Sequence, residues 1–314
     1  MKLDSKKIGI VGAGLIGSGW AAFFASHGYA VSLYDIDESA KQAAATRTKT
    51  FLAFLRDHGL LAAEEHELAV ERVAVADDLA DAVAGAYLVQ ESVAERYDVK
   101  KDIFRQIDRA ADPSTIVASS SSGLLISELQ SVMDHPGRSL IAHPFNPPHL
   151  IPLVELVPGK ATSAETMAEA KRFYESLGKV SVILNKEVPG HIANRLQAAV
   201  WREAIDLVIS GVASVADVDK ALAAGPGVRW ALLGPHMIFH LGGGAGGIEH
   251  FVRHVGTAWN DLWSGMASWE SLPPETAAVL SRGVQEEAEG RSLQEIARWR
   301  DEKVVQLLKV IYDR

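Results

Sequence analysis

Apolar residues in the first half of the chain fall into short runs, separated by stretches in which they recur three or four positions apart. Lys7–Val11, Ala30–Tyr34, Val73–Ala76, Tyr87–Gln90, Ile116–Ser119 and Ser139–His143 read as buried strands. The stretches between them carry helical spacing, most clearly Glu38–His58. This alternation predicts an α/β fold, a doubly wound, mostly parallel sheet with helices on both faces. Ligands of such sheets bind beyond the strand C-terminal ends. After two further strands, Val154–Val157 and Val180–Leu184, the pattern changes. Pro189-Gly190 breaks the chain, and His191–Ser210 predicts one long amphipathic helix. Val215–Ala224, Met237–His240 and Ser292–Asp313 continue the helical character. The pattern predicts two domains, 1–187 (α/β) and 188–314 (all-helical). No internal repeat is visible. Gly242–Gly247 (GGGAGG) lacks the Lys-Ser/Thr of a phosphate-binding loop and reads as a connecting loop.

The first strand runs into a glycine turn, IGIVGAGLIGSGW, in which Gly12, Gly14 and Gly17 form G-x-G-x-x-G. Gly12 allows the tight turn, Gly14 lets a pyrophosphate approach, and Gly17 lets the helix lie close on the strand. Helix positions Leu15 and Ile16 offer free N–H groups at the positive end of the helix dipole. Asp35 closes the second strand, 21 residues beyond Gly14. A carboxylate there accepts hydrogen bonds from ribose hydroxyls and repels a 2′-phosphate, so this Rossmann pattern predicts NAD rather than NADP as cofactor.

Bulk composition narrows the remaining classes. The 314 residues are 48% apolar and 23% charged, as in ordinary globular proteins, and the length suits two domains. A formal net charge of −9 argues against non-specific nucleic-acid binding. With no cysteine, thiolate catalysis, disulfides and cysteine-ligated metals are excluded. The start, MKLDSKK, lacks the apolar stretch of a signal peptide, and no apolar run predicts a membrane span; cytoplasm is the default expectation.

Three further segments carry suitable chemistry: SSSSG (Ser119–Gly123); AHPFNPP (Ala142–Pro148) with LVELVPG (Leu153–Gly159); and VPGHIANRL (Val188–Leu196). Together with the glycine turn they resemble the L-3-hydroxyacyl-CoA dehydrogenase superfamily over nearly the full length. Within it the chain is most similar to the free-hydroxy-acid branch, which includes lambda-crystallin with L-gulonate 3-dehydrogenase, and L-carnitine dehydrogenase. HPFNPPHLIPLVELVPG is close to the lambda-crystallin version, whereas RSLQEIARWRDEKV is more like the carnitine enzymes. The resemblance implies that His143, Glu155, Ser122 and Asn194 are catalytic. It also implies that Glu91, in VQESVAE, lies near the nicotinamide ribose, and that a homodimer forms through the helical domain. One departure is Gly123, which replaces the final serine of the run.

The chemistry agrees. Oxidising a secondary alcohol needs a base while hydride leaves the same carbon, and a histidine, with an ordinary pKa near 6.5, suits that task. A carboxylate on its other nitrogen fixes the tautomer and stabilises the imidazolium. Ser122 and Asn194 can then hydrogen-bond the reacting oxygen. Arg229, in GPGVRWALLGP, can clamp a substrate carboxylate, which a thioester lacks. Trp201 and Trp230 can offer faces to a quaternary ammonium, as in carnitine. His236/His240 and His250/His254 have helical metal-pair spacing but no clear third ligand, so no metal is assigned. The expectation is an NAD-dependent 3-hydroxy-acid dehydrogenase acting on a small molecule. The alternatives are a short-chain 3-hydroxyacyl-CoA dehydrogenase and a non-catalytic, crystallin-like NAD(H)-binding protein.

Overall fold

The computed structural model describes residues 6–312; the first five residues of MKLDSKK and Asp313 lie outside it. The chain divides into two compact units, 1–194 and 195–314. The division falls later than 187 because residues 189–194 pack with the sheet unit, Ile192 and Ala193 donating main-chain hydrogen bonds to Glu155.

The first unit runs β1 (Lys7–Val11), α1 (Leu15–Ser26), β2 (Ala30–Tyr34), α2 (Glu38–Asp57), α3 (His66–Glu71), β3 (Val73–Val75), α4 (Leu79–Val83) and β4 (Ala86–Glu91). It continues with α5 (Tyr97–Ala110), β5 (Ile116–Ser119), α6 (Ile126–Leu129), β6 (Ser139–Pro144), β7 (Leu153–Pro158), α7 (Ala164–Ser176) and β8 (Val180–Ile183). The strands form one sheet in the order β3-β2-β1-β4-β5-β6-β7-β8. All pairings are parallel except β6–β7, which is antiparallel. The predicted doubly wound Rossmann sheet is present, with strand ends within two residues of the sequence reading.

Period-two alternation sorts each strand between two cores. Leu88, Ile116, Ala118, Leu140, Ala142, Val154 and Leu156 face a cluster with Trp20 and Phe24 of α1 and Phe173 and Tyr174 of α7. Val89, Val117, Ile141 and Val157 face Leu79 and Val83 of α4, Phe104 and Ile107 of α5, and Ile126 and Leu129 of α6. Each large apolar side chain buried here contributes about 1.5–3 kcal/mol. His143 is in phase with Ile141, and Glu155 with Val157, so both belong to the α4–α6 face.

The second unit is all-helical. It comprises the rest of α8 (Ala193–Ile209), then α9 (Val215–Leu222), α10 (Val228–Trp230), α11 (Pro235–Gly242), α12 (Gly247–Ser264), α13 (Thr276–Ala288) and α14 (Leu293–Tyr312). A π turn, Ala223–Gly227, leads from α9 into α10. The GGGAGG run is a tight turn rather than a free loop, with Gly242 closing α11 and Gly247 opening α12. The predicted helix His191–Ser210 starts later, at Ala193, because His191 has φ +52° and cannot continue a right-handed helix.

Candidate active site

The parallel strands β1, β2, β4, β5 and β6 end on the same edge of the sheet, and the glycine turn, Asp35, the serine turn and His143 stand at those ends, with Glu155 paired to His143 from β7. After β1, Gly12 takes φ +103°, and a Cβ there would lie 2.5 Å from the Ser92 carbonyl carbon. A Cβ on Gly17 would lie 1.9 Å from the Gly12 carbonyl oxygen. These two glycines are demanded by the protein's own backbone. Gly14 is different: a Cβ there would meet nothing within 4 Å. Its bareness serves whatever approaches from outside. No side chain caps the start of α1, so the first-turn N–H groups stay available, and Gly14 and Leu15 are exposed while Ile16 is partly so. Asp35 Oδ2 accepts from the Ala13 N–H at 2.7 Å, and its Oδ1 from the Asp37 N–H at 3.0 Å. This bare cradle, uncapped helix start and strand-end carboxylate fit a dinucleotide.

His143 and Glu155 are register partners across β6–β7. The imidazole Nδ1 lies 2.8 Å from Glu155 Oε2, with the two residues 5% and 1% exposed. Burial pushes the Glu155 carboxyl up, but hydrogen bonds from His143 and from the Ala193 and Ile192 N–H groups outweigh it and hold the pKa below the usual range. Glu155 is therefore an ionised acceptor. Nδ1 of a neutral His143 must carry the ring proton, which leaves Nε2 with its lone pair.

The Ser119–Gly123 turn follows β5. Glu95 Oε1 gathers it, accepting from Ser121 Oγ (2.7 Å), Ser122 N–H (2.8 Å), Ser122 Oγ (3.2 Å) and Gly123 N–H (3.0 Å). Burial raises the Glu95 pKa, while Lys100 and these donors lower it more, so the carboxylate stays charged. Asn194 Nδ2 donates to the Ser122 carbonyl at 3.2 Å. His143, Glu155, Asn194 and Ser122 are thus joined through the main chain at 192–194 and the serine turn.

The expectation that Glu91 faces a cofactor is corrected. Glu91 is fully buried, and protein donors occupy both oxygens: Lys100 Nζ (2.7 Å) and Val93 N–H (2.6 Å) on Oε1, Ser119 Oγ on Oε2. It is the structural end of β4, and Glu95 is the carboxylate that reaches the serine turn.

In the helical unit, Arg229 lies on α10, directly after the π turn, and is exposed. No ion pair to it is formed among the described residues. Trp201 on α8 and Trp230 on α10 are 55% and 38% exposed, so neither is a core residue. The His240 Nδ1 accepts from the Ile248 N–H, and the His250 and His254 rings stack at 3.9 Å. Among the described residues no cluster of three or more His, Asp or Glu is placed to hold a metal ion.

Comparison with known proteins matches two family models in series. The 3-hydroxyacyl-CoA dehydrogenase NAD binding domain covers residues 7–188, and the C-terminal domain of the same family covers 190–278. The chain belongs to the 3-hydroxyacyl-CoA dehydrogenase family. It is an NAD-dependent dehydrogenase acting on a CH–OH group. Similar proteins include the L-carnitine dehydrogenases of Streptomyces coelicolor (41% identity, 97% of this chain and 94% of the relative) and Oceanobacillus iheyensis (37%, 98% and 99%). A similar solved structure is the 5-formyl-3-hydroxy-2-methylpyridine 4-carboxylic acid 5-dehydrogenase, described as an NAD+ dependent dismutase (TM-score 0.83, 29% identity, 98% and 99%).

Sequence reasoning missed two residues that pack against these candidate groups, Glu95 on the serine turn and His191 beside His143. Glu95 sits four residues beyond Glu91 in the same VQESVAE segment, and its place just before α5 was the signal that could have found it. His191 falls inside the helix that apolar spacing predicts, although the preceding Pro-Gly already marks a turn.

Proposed function

We propose that this dehydrogenase oxidises the 3-hydroxyl of a small L-3-hydroxy acid with a free carboxylate, of the L-carnitine kind, using His143 as base. The buried 2.8 Å contact between His143 Nδ1 and Glu155 Oε2 carries the reading, because it leaves Nε2 free to take the hydroxyl proton. NAD, when bound, supplies the hydride acceptor. As the proton arrives, Glu155 balances the imidazolium. Asn194 and Ser122 supply polar groups for the reacting oxygen. Arg229 is assigned to the substrate carboxylate, and Trp201 and Trp230 to its quaternary ammonium. Names of the full-length relatives support carnitine over a sugar acid such as L-gulonate.

The test is NAD reduction with L-carnitine, L-gulonate, 3-hydroxybutyrate and 3-hydroxybutyryl-CoA. L-carnitine is expected to give the highest kcat/KM; preference for the thioester would overturn the free-acid assignment. Arg229→Ala is expected to lose roughly 10–100-fold in kcat/KM. A loss no greater than that of Arg253→Ala, which breaks an exposed pair with Glu249, removes the clamp.

We also infer that the helical unit pairs with a second copy. Leu232, Leu233, Met237, Leu241, Val252 and Trp263 are all exposed there, 40–63% of each surface. Light scattering is expected to give a dimer mass.

A further inference from the structure

The turn before α8 holds a histidine that the reaction above does not use. His191 is 1% exposed and has φ +52°, a left-handed conformation disfavoured for any residue with a Cβ. Its ring lies 5.2 Å from that of His143. Its Nε2 is 3.0 Å from the Ser121 carbonyl oxygen. The twist at His191 also sends the next two N–H groups, of Ile192 and Ala193, onto Glu155 Oε1 at 2.9 and 3.0 Å. One residue thus holds the serine turn with its side chain, while its backbone twist aims the N–H groups of the next two residues at the Glu155 carboxylate.

Chemistry settles the ring's proton. A carbonyl only accepts, so Nε2 carries the hydrogen. A second proton would have to sit on Nδ1, which is buried and has no acceptor among the described residues. The titratable groups around the ring are His143 from β6, Glu155 from β7 and Glu95 from the segment before α5. Burial opposes charge on His191 most strongly. The Ser121 carbonyl favours it, His143 opposes it, and the two carboxylates favour it; the balance leaves the pKa below the ordinary histidine value.

We propose that His191 is a positioning residue: a neutral imidazole that pins the Ser119–Gly123 turn to the His143–Glu155 pair and keeps a second cation away from His143. The inference rests on the reading of His143 as the base. When His143 takes the substrate proton, a charged ring 5.2 Å away would oppose that step. A neutral ring does not, and its remaining N–H fixes the turn that presents Ser122.

The test has one arm that needs no turnover. Histidine nitrogen-15 NMR on the whole protein, with His191 assigned by the signal lost in His191→Gln, is expected to show a neutral Nε2–H tautomer at neutral pH that charges only below the ordinary histidine range. A ring half charged near pH 6.5, or the opposite tautomer, overturns the proposal. The second arm is kinetic. His191→Phe keeps the ring shape without the donor and is expected to lower kcat about tenfold, with the Kd for NADH within about twofold of the parent. His191→Gln restores an N–H toward Ser121 and is expected to recover most of the loss. Equal losses in both variants, or none in either, overturn the positioning role. If no hydroxy acid is oxidised at all, the reading of His143 fails by itself, while the NMR arm still decides the state of His191.

Discussion

His143 and Glu155 stand directly opposite each other on the antiparallel pair β6–β7. Opposed residues on adjacent strands point to the same face with their Cβ atoms close together. Twelve residues of chain thereby become a 2.8 Å hydrogen bond. The reversal at β7 is what makes the pair: a parallel β7 would need a crossover connection before it and a different register.

Breaking the pair is expected to remove chemistry and spare the fold. His143→Asn should lower kcat by about 100–10,000-fold, with NADH binding unchanged. Glu155→Gln should lower kcat too, and it should also cost stability, because the amide NH2 that replaces Oε2 sets a donor against the His143 Nδ1–H while Oε1 stays held by two main-chain N–H groups. Steady-state rates with thermal melts of both variants check this. A Glu155→Gln protein as active as the parent would remove Glu155 from the mechanism.

The glycines of the first turn should separate folding from cofactor binding. Gly17→Ala places a methyl 1.9 Å from a carbonyl oxygen and should lower Tm strongly. Gly14→Ala meets nothing in the protein, so its stability should change by no more than about 0.5 kcal/mol. Its Kd for NADH should rise at least about tenfold, since the methyl occupies the pyrophosphate approach. Fluorescence titration and melting of the two variants check the contrast; unchanged affinity in Gly14→Ala would count against the cradle.

Lys100 and Glu91 form a fully buried ion pair, 1% and 0% exposed. Lys100→Met strands a buried carboxylate and should cost about 3–5 kcal/mol. Adding Glu91→Gln should return much of that loss, because the orphan charge is then gone. Urea unfolding of the single and double variants measures the coupling.

Acid should weaken the first unit through three carboxylates held below their usual pKa range. Each resists burial, which raises its pKa, through stronger stabilising contacts: Arg138 and main-chain N–H groups for Asp108, Lys100 and the serine turn for Glu95, His143 and the 192–193 amides for Glu155. For such groups the unfolded chain binds protons first. Their stabilisation is complete above the unfolded values, about 3.9 for Asp and 4.3 for Glu, and is lost as pH falls through the lower folded values. Asp108→Asn should be less stable at neutral pH and should lose less on acidification than the parent. Parallel curves of unfolding free energy against pH would contradict this.

Much of the fold was legible in the chain. Strand positions, the glycine turn and Asp35 follow from local rules, namely period-two apolar runs, Gly before a helix, and an acid at a strand end. His143, Glu155, Ser122 and Asn194 were legible as residue types in order, helped by resemblance. Glu91 and Glu95 were not separable that way. Both are acids near the end of the same strand, and only packing shows that Lys100 consumes the first while the second collects the serine turn. His191 was hidden for a related reason, since its role depends on a single positive φ that apolar spacing does not encode.

Local sequence patterns set the class of sheet, the glycine turn and the kinds of side chain that stand at the strand ends. These depend on neighbours a few residues away. Only long-range packing made β7 run against β6, brought His143 to Glu155 across it, and set the Ile192 and Ala193 N–H groups on Glu155. Those outcomes join segments 12 to about 70 residues apart, and long-range pairing is set by the whole core rather than by any local preference.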